Sequence, residues 1–395
     1  MADGPRALSP DEWPQLNTLV SSVFRSTMLM DYPQLFNAQN RDNLRVIAEG
    51  GTVVCHVGMM QRPASMLGCR IDVACVGAVA TYPEQRGRGY ASLAFQDCCD
   101  SAAAAGCDLI LISGGRGLYT RVGCRRVGQD WTVVLEAAQV ETTARLLPSA
   151  PALELRSIGE EHISAVAALY QAEPVRFLRP LEDWQGAFAC HIVMAAHADF
   201  WGLFLHDDLV AYVVVQPPRP GRHATDTSGV RAPSVRVVEY AGDRAAVAGA
   251  LPRLAQRYAA SQVSLHVQGW DNAFRMRLVR AGCAATPSPT WGTLRVLNFP
   301  QLMERCRPLL AERLGTTVAA ALQFTSDEKP GSAAGGFTIR SATQQLHLPD
   351  LGSLATFLFA DPQALTAESP EAAELAAQLV PALPLPTLWY GISYV

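Results

Sequence analysis

The most constraining feature of this sequence is an apolar strand followed closely by a glycine-rich turn and a helix. From Ile71 to Thr81 nearly every residue is apolar on both alternating faces, which is typical of a central strand in a buried sheet. The turn Arg86-Gly87-Arg88-Gly89-Tyr90-Ala91 comes next, and small apolar residues then recur at the spacing of one helical face. This order predicts an α/β domain with a ligand site at the turn.

The turn has the chemistry of a phosphate site. Gly87 and Gly89 let the backbone turn tightly and approach a ligand, so that consecutive N–H groups can point at phosphate oxygens. The N-terminus of the following helix adds a partial positive charge, and Arg86 and Arg88 add full ones. A Rossmann dinucleotide site is the competing interpretation, but it requires G-x-G-x-x-G, and Ser92 stands in the third place.

The stretch from Val79 to Ala91 resembles the acetyl-CoA signature of the GNAT N-acetyltransferases, whose core is Arg/Gln-x-x-Gly-x-Gly/Ala. Arg86, Gly89 and Ala91 fill its three defining places. The resemblance implies that acetyl-CoA is the co-substrate, that the strand edge at 78–80 binds the pantetheine arm and that the turn amides bind the pyrophosphate. The expected cofactor-binding residues are Ala78, Val79, Ala80, Arg86, Gly87, Arg88, Gly89, Tyr90 and Ala91.

A second motif, Gly117-Leu118-Tyr119-Thr120-Arg121-Val122-Gly123-Cys124, resembles the Leu-Tyr-x-x-x-Gly-Phe element of many GNAT proteins. The resemblance makes Tyr119 the candidate general acid, because a phenol that protonates the departing CoA thiolate lowers the barrier. The alternative is that Tyr119 only packs. For the mechanism we expect direct transfer, and the alternative is a covalent route through Cys75 or Cys124.

The pattern of the first half recurs later in the chain. An acidic helix start after a short strand appears near Ser9 and again near Gly159, and a Gly-Cys turn closes a strand and helix at both Cys124 and Cys283. The second copy lacks the phosphate turn, since Gly242-Asp243-Arg244 places a carboxylate there. Leu278 stands where the first copy has Tyr119. We expect a catalytic domain at 1–149 and a degenerate copy at 150–290, with a linker at 147–151 and an exposed excursion at 217–234.

Residues 291–395 have a different pattern, with a strand at 293–297 and a helix predicted over 299–314. Two GNAT-like domains and a small α/β domain resemble the Eis-type acetyltransferases, whose third domain is similar to sterol carrier proteins. In that group the C-terminal carboxylate is thought to take the amine's proton, so the resemblance gives Val395 the role of candidate base. It also implies a homo-oligomer, with a hexamer as the expected form.

Composition narrows the function classes further. A formal charge of −4 gives no general attraction to nucleic acid. The ten cysteines form no CxxC pair and no zinc-finger spacing, so we expect buried thiols and no metal. The first residues have neither a basic nor an apolar stretch, and no apolar run could span a bilayer, so we expect a cytoplasmic protein.

The sequence therefore predicts an acetyl-CoA-dependent N-acetyltransferase acting on a primary amine. The acceptor is a small molecule, such as an aminoglycoside or a polyamine, or a lysine side chain. The alternative function is non-catalytic binding of CoA or a lipid.

Overall fold

The computed structural model describes residues 2–115, 117–147, 153–218, 233–364 and 369–395. Most of the predicted linker at 147–151 and of the predicted excursion at 217–234 lies outside the described residues. Up to residue 147 the strands are β1 (Ala2–Ala7), β2 (Leu44–Glu49), β3 (Thr52–Met66), β4 (Cys69–Thr81), β5 (Leu109–Ile112) and β6 (Asp130–Glu136). The helices are α1 (Trp13–Val23), α2 (Met28–Asp31), α3 (Tyr90–Ala104), α4 (Gly117–Arg121) and α5 (Val140–Leu146).

The next part of the chain, from residue 153 to residue 288, also contains both strands and helices. Its strands are β7 (Leu153–Ser157), β8 (Val175–Phe177), β9 (Ile192–Val193), β10 (Ala196–His197), β11 (Asp199–Leu205), β12 (Asp208–Gln216), β13 (Ser234–Gly242), β14 (Gln262–Val267) and β15 (Ala284–Ser288). Its helices are α6 (Ile163–Gln171), α7 (Leu181–Cys190), α8 (Arg244–Arg257) and α9 (Asn272–Arg280).

The last part contains mostly helices. Its strands are β16 (Thr293–Val296), β17 (Gln323–Ser326), β18 (Phe337–Arg340) and β19 (Gln345–Leu348). Its helices are α10 (Phe299–Arg305), α11 (Arg307–Leu314), α12 (Thr316–Ala321), α13 (Leu351–Phe359) and α14 (Pro370–Leu379). The single helix predicted over 299–314 is wrong: α10 and α11 meet at Cys306. Pro308 explains the break, because it has no N–H and its ring clashes with the carbonyl four residues earlier.

Two large sheets share one strand pattern. The order is β1-β2-β3-β4-β5-β16 in the first sheet, where β8 also pairs with β3, and β7-β11-β12-β13-β14-β6-β15 in the second. Each sheet has one parallel pair, β4 with β5 and β13 with β14, and its other ladders are antiparallel. The predicted α/β fold is confirmed, and its two large sheets are mixed.

Each sheet takes strands from another part of the sequence, and the first sheet takes β8 as well as β16. Strand β6 comes before residue 149, yet it pairs with β14 and β15 in the second sheet. Strand β16 comes after residue 290, yet it pairs with β5 in the first sheet. The division of the sequence at 149 and 290 stays a prediction, and the sheets themselves cross it.

The third part shares its core with the first. Helices α10, α11 and α13 contribute Phe299, Leu310 and Phe357 to one cluster of buried residues, and the small antiparallel sheet β17-β18-β19 contributes Ile339. The same cluster contains Leu16 and Ile71 of the first part. No helix in the described ranges is long and apolar enough to cross a membrane. The same residues contain no group of three or more His, Cys, Asp or Glu side chains that could hold a metal ion.

Candidate active site

The first sheet has an opening between its two parallel strands. β4 and β5 are paired from Val73 and Leu109 to Val76 and Ile112, and the Ser113 N–H donates to the Val76 carbonyl at 3.2 Å. Beyond that point β4 continues to its end paired with β3 alone. One backbone edge of residues 77–81 is therefore open to a ligand.

A β-bulge bends β4 where the opening begins. The ladder with β3 passes from the Gly58–Gly77 pair to the His56–Ala80 pair, so β4 has one extra residue. Ala78 lies in this bulge with a φ of +51°, a left-handed conformation that costs a non-glycine residue roughly 1–2 kcal/mol. Bulges re-aim neighbouring groups beside active sites, and this one turns the predicted pantetheine-binding segment.

A cavity of about 460 Å³ lies at this end of the sheet. It is lined by Val23, Val79, Thr81, Gln85, Arg86, Gly87, Gly89, Tyr90, Ala91, Ser92, Leu118, Tyr119 and Arg121. The structure thus brings together most of the turn, one residue of the bulge and the candidate acid. Ala78, Ala80 and Arg88 from the predicted set are not among the lining residues.

The turn fits a pyrophosphate. Gly87 and Gly89 have φ values of +81° and +84°, and a Cβ on either would meet no atom within 4 Å. The backbone N–H groups of residues 87–91 have no acceptor in the described part of the chain. They lie at the N-terminus of α3, a 15-residue helix whose first turn attracts anions. Arg86 forms no ion pair with any described residue, and its Nε donates to the Thr81 carbonyl at 3.3 Å.

Arg88, by contrast, is already neutralised by a carboxylate. Its guanidinium pairs with Glu49 at 2.6 Å and lies 5.0 Å from the centroid of the Tyr90 ring. The Tyr90 hydroxyl also donates to Glu49, and these contacts hold the pKa of the Glu49 carboxyl below its usual range, the tyrosine bond more strongly than the arginine. Arg121 of α4 lines the cavity and has no described ion-pair partner, so the second available cation is Arg121 rather than Arg88.

Tyr119 is buried on the α3 face of the first sheet. Its ring packs edge-to-face on Phe95, with 5.5 Å between the centroids. A Cβ on Gly114 would be 3.1 Å from the Tyr119 ring, so a side chain at position 114 would crowd the ring. The hydroxyl belongs to a side chain that lines the cavity beside the turn.

The Val395 carboxyl lies at the same opening on the opposite face. A Cβ built on Gly77 would come within 2.1 Å of the carbon and an oxygen of that carboxyl group, so only glycine leaves room for it. Val395 is 2% exposed and packs in the buried cluster that contains Cys75 and Ala80, whereas Tyr119 packs in the cluster of the other face. The two candidate catalytic groups therefore flank the opening from its two sides.

Two buried polar groups near this carboxyl have no hydrogen-bond partner in the described structure. They are both ring nitrogens of His56 and the hydroxyl of Tyr390. The His56 Nε2 lies 3.1 Å from the position of a Cβ on Gly58, which is the ladder partner of Gly77. Complete burial lowers the pKa of His56 to about 3, and the nearby Arg45 carbonyl, although not placed to accept a hydrogen bond, offsets this in part. Unpartnered buried polar groups are costly, so these two side chains are candidate partners for a polar ligand.

The two cysteines of the covalent alternative, Cys75 and Cys124, are poor nucleophiles. Burial raises the pKa of Cys75 to about 12 and that of Cys124 to about 12. Since the thiolate is the reactive form, the covalent route has little support from either thiol.

The first part of the chain also matches a known family. Residues 5–127 match the sequence profile described as the acetyltransferase (GNAT) domain. Residues 5–127 are therefore similar to a GNAT acetyltransferase domain. The glycine turn, the opening between β4 and β5 and the bulge at Ala78 all lie within the matched residues. A comparison with functionally curated sequences gave no match.

Solved structures share the fold over nearly the whole length. The GCN5-related N-acetyltransferase from Anabaena variabilis ATCC 29413 is 17% identical, with 96% of each chain covered and a TM-score of 0.65. Eis1 from Mycobacterium abscessus is 15% identical, with 96% of each chain covered and a TM-score of 0.63. At such low identity these similarities extend to the fold and no further.

Sequence reasoning missed His56, Tyr390 and Arg121. His56 stands inside an apolar strand, where a single histidine carries no signal of its own. Tyr390 is one of several aromatic residues near residue 395, and nothing in the sequence distinguishes it from the others. Arg121 lies two residues after Tyr119 on the same short helix. That spacing in the sequence could have indicated that Arg121 lies near the same site.

Proposed function

We propose that this protein is an acetyl-CoA-dependent N-acetyltransferase that acetylates a primary amine by direct transfer. The observation that carries the proposal is the single cavity region in which the phosphate-type turn, the open edge of β4 and Tyr119 meet. The profile match to the GNAT domain supports acyl transfer as the chemistry.

The turn and the open strand edge would hold acetyl-CoA. The amides of residues 87–91, together with Arg86 and Arg121, would bind its phosphates, and the edge of β4 at 78–80 would bind its pantetheine arm. When bound, it supplies an acetyl group activated as a thioester. Backbone N–H groups at the bulge are suited to polarise the carbonyl of that group.

Proton transfers are assigned to the two groups at the opening. In a chain that ends at Val395, the terminal carboxylate accepts the proton that the amine nitrogen loses as its lone pair forms the new C–N bond. The Tyr119 hydroxyl donates its proton to the sulfur as the C–S bond breaks. His56 and Tyr390 offer the incoming amine buried hydrogen-bonding partners. Holding the reactants together at the opening supplies much of the rate.

The other two domains belong to the same proposal. We assign 150–290 to a degenerate GNAT-like domain, which the shared strand order supports. The Asp243 carboxylate accepts the Ala246 N–H at 2.7 Å at the N-terminus of α8, where a phosphate would otherwise bind. We assign 291–395 to a sterol carrier protein-like domain. The homo-oligomer, with a hexamer as its expected form, is to be measured by light scattering.

The test is a CoA thiol-release assay with polyamines, aminoglycosides, amino acids and lysine peptides. We expect release above background with at least one amine class. The loss should be large with Tyr119→Phe and with one residue added after Val395. Binding of CoA without release for every amine would instead support the non-catalytic alternative.

A further inference from the structure

The second sheet has an opening equivalent to the first. β13 and β14 are paired in parallel over four residues, from Ser234 and Gln262 to Val237 and Leu265. Immediately after Val237, β13 carries an extra residue, Val238, against β12. This repeats the arrangement of β4, where a bulge follows the last parallel pair.

The C-terminal segment of the chain occupies this second opening. The Trp389 indole N–H donates to the Val238 carbonyl at 2.6 Å, at the first residue of β13 beyond the parallel ladder. The Trp389 ring stacks on His266 of β14, with 3.4 Å between centroids and 13° between planes. Trp389 thus contacts both strands at the place where they separate.

A buried ion pair holds the residues that follow. The Arg179 guanidinium donates to both oxygens of Glu239 at 3.1 and 3.0 Å, and their side chains are 1% and 4% exposed. Glu239 also accepts the Ile392 N–H at 2.9 Å, and the Arg179 Nε donates to the Ser393 hydroxyl at 3.1 Å. The Tyr212 hydroxyl donates to Glu239 at 2.8 Å. Burial opposes the charge on Arg179, but Glu239 outweighs it and raises the pKa of the guanidinium.

The backbone of the segment is shaped to this ion pair. Gly391 has a φ of +50°, and a Cβ there would lie 1.8 Å from a Glu239 oxygen. From this point only a few residues remain to the first opening, where the Gln34 side chain donates to the Tyr394 carbonyl at 3.0 Å and the Val395 carboxyl meets Gly77.

We propose that the opening between β13 and β14 is a socket for residues 389–393, and that the Arg179–Glu239 pair is a positioning device that sets the Val395 carboxyl against Gly77. The inference rests on the proposed function for its catalytic consequence. The second sheet then keeps an opening equivalent to an acyl-CoA site, and the protein's own residues 389–393 fill it. Their attachment there positions the Val395 carboxyl at the opening of the first sheet.

The first test measures the anchor without activity. Wild-type protein should resist carboxypeptidase, because Val395 and Ser393 are buried. The double variant Arg179→Met/Glu239→Leu removes both buried charges, a replacement that proteins often tolerate. It should lose C-terminal residues about tenfold faster, since it removes the hydrogen bonds to Ile392 and Ser393. Glu173→Gln is the matched control, because Glu173 pairs with Arg244 in the same half and bonds no tail residue. Equal resistance of the double variant, or equal sensitivity of the control, overturns the inference.

Two glycine-to-alanine variants test, by the same carboxypeptidase assay, how closely residues 389–393 fit against Glu239. Gly391→Ala and Gly50→Ala both place alanine at a positive φ, +50° and +57°, but nothing lies within 4 Å of a Cβ on Gly50. Faster cleavage in Gly391→Ala alone supports the socket, and equal behaviour of the two variants contradicts it.

Turnover then separates positioning from general stability. In the variants that release the tail we expect kcat to fall about tenfold while the KM for acetyl-CoA stays within about twofold, as for a group that acts in the transition state. A released tail with unchanged kcat overturns the positioning role. If the wild-type protein shows no turnover, the proposed function fails, whereas the carboxypeptidase result still decides the anchor.

Discussion

The two openings have one architecture but different contents. Counting from the last parallel pair, the next ladder pair is Gly58–Gly77 in the first sheet and Val214–Glu239 in the second. At Gly77 the missing side chain leaves room for the Val395 carboxyl, whereas Glu239 brings its own carboxylate to the equivalent place. One glycine-to-acid difference thus distinguishes the opening that we propose for the reactants from the one that holds the chain's own residues.

The neighbouring strands of the two openings, β3 and β12, also differ in whether their polar side chains have hydrogen-bond partners. Two residues further along β3 from Gly58 stands His56, which has no hydrogen-bond partner in the described structure. Two residues along β12 from Val214 stands Tyr212, whose hydroxyl is bonded to Glu239. The hydrogen bonds of Glu239 hold the chain's own residues in the second opening, whereas His56 is free to bond the reactants that we propose for the first.

The variant with the largest expected effect tests whether the general acid is a tyrosine of the first opening and not one of the second sheet. Tyr119→Phe should lower kcat about 10²- to 10⁴-fold, the range for loss of general acid catalysis, with thiol release as the measurement. Tyr258→Phe is the control, because that hydroxyl is bonded to Asp199 in the second sheet, and its activity should be that of the wild type. Equal activity of both variants would remove Tyr119 from the mechanism.

The next effect tests the space at Gly77. Gly77→Ala introduces no positive-φ strain but requires the Val395 carboxyl to leave, so kcat should fall about 10²-fold, as for loss of a general base. Combining it with one residue added after Val395 should cost little more, since both changes displace the same group. Full additivity of the two losses would show that they act on separate groups.

The pH dependence of stability tests the unpartnered histidine. The pKa of His56 is about 3 in the folded protein, below the value near 6.5 of an unfolded chain, so the unfolded state binds the additional proton. Stability should therefore fall as the pH drops from about 6.5 toward 3, by at most about 1.4 kcal/mol per unit from this residue. Urea unfolding of His56→Leu should show a shallower dependence of stability on pH than the wild type. Identical slopes in the two proteins would contradict the burial of a neutral His56.

The smallest effect compares the charges near the turn. Arg86→Gln should weaken CoA binding about tenfold, the lower end for a charge-assisted hydrogen bond, as measured by calorimetry. Arg88→Gln should have a smaller effect, because Glu49 already pairs with that guanidinium. Arg340→Gln, on the third sheet and bonded to Gln345, is the control. A larger loss with Arg88→Gln than with Arg86→Gln would reverse our assignment of the phosphate contacts.

Local signals accounted for much of the fold. The turn at Gly87 and Gly89, helix α3 and the short helix of Tyr119 were all predictable, because positive-φ glycines and helical periodicity are encoded within a few residues. The same reasoning missed the break at Cys306, where the helical pattern masked the effect of Pro308. It also divided the chain into contiguous segments, whereas β6 and β16 cross between the parts.

The sequence by itself determined the phosphate-type turn, the candidate acid and the absence of both from the second copy. Only the tertiary structure decided that Gly77 faces Val395, that Arg179 and Glu239 bond the residues before it, and that His56 has no partner among the described residues. The physical reason is that the first set depends on local backbone geometry. The second depends on pairings between distant residues, and these exist only once the sheets are packed.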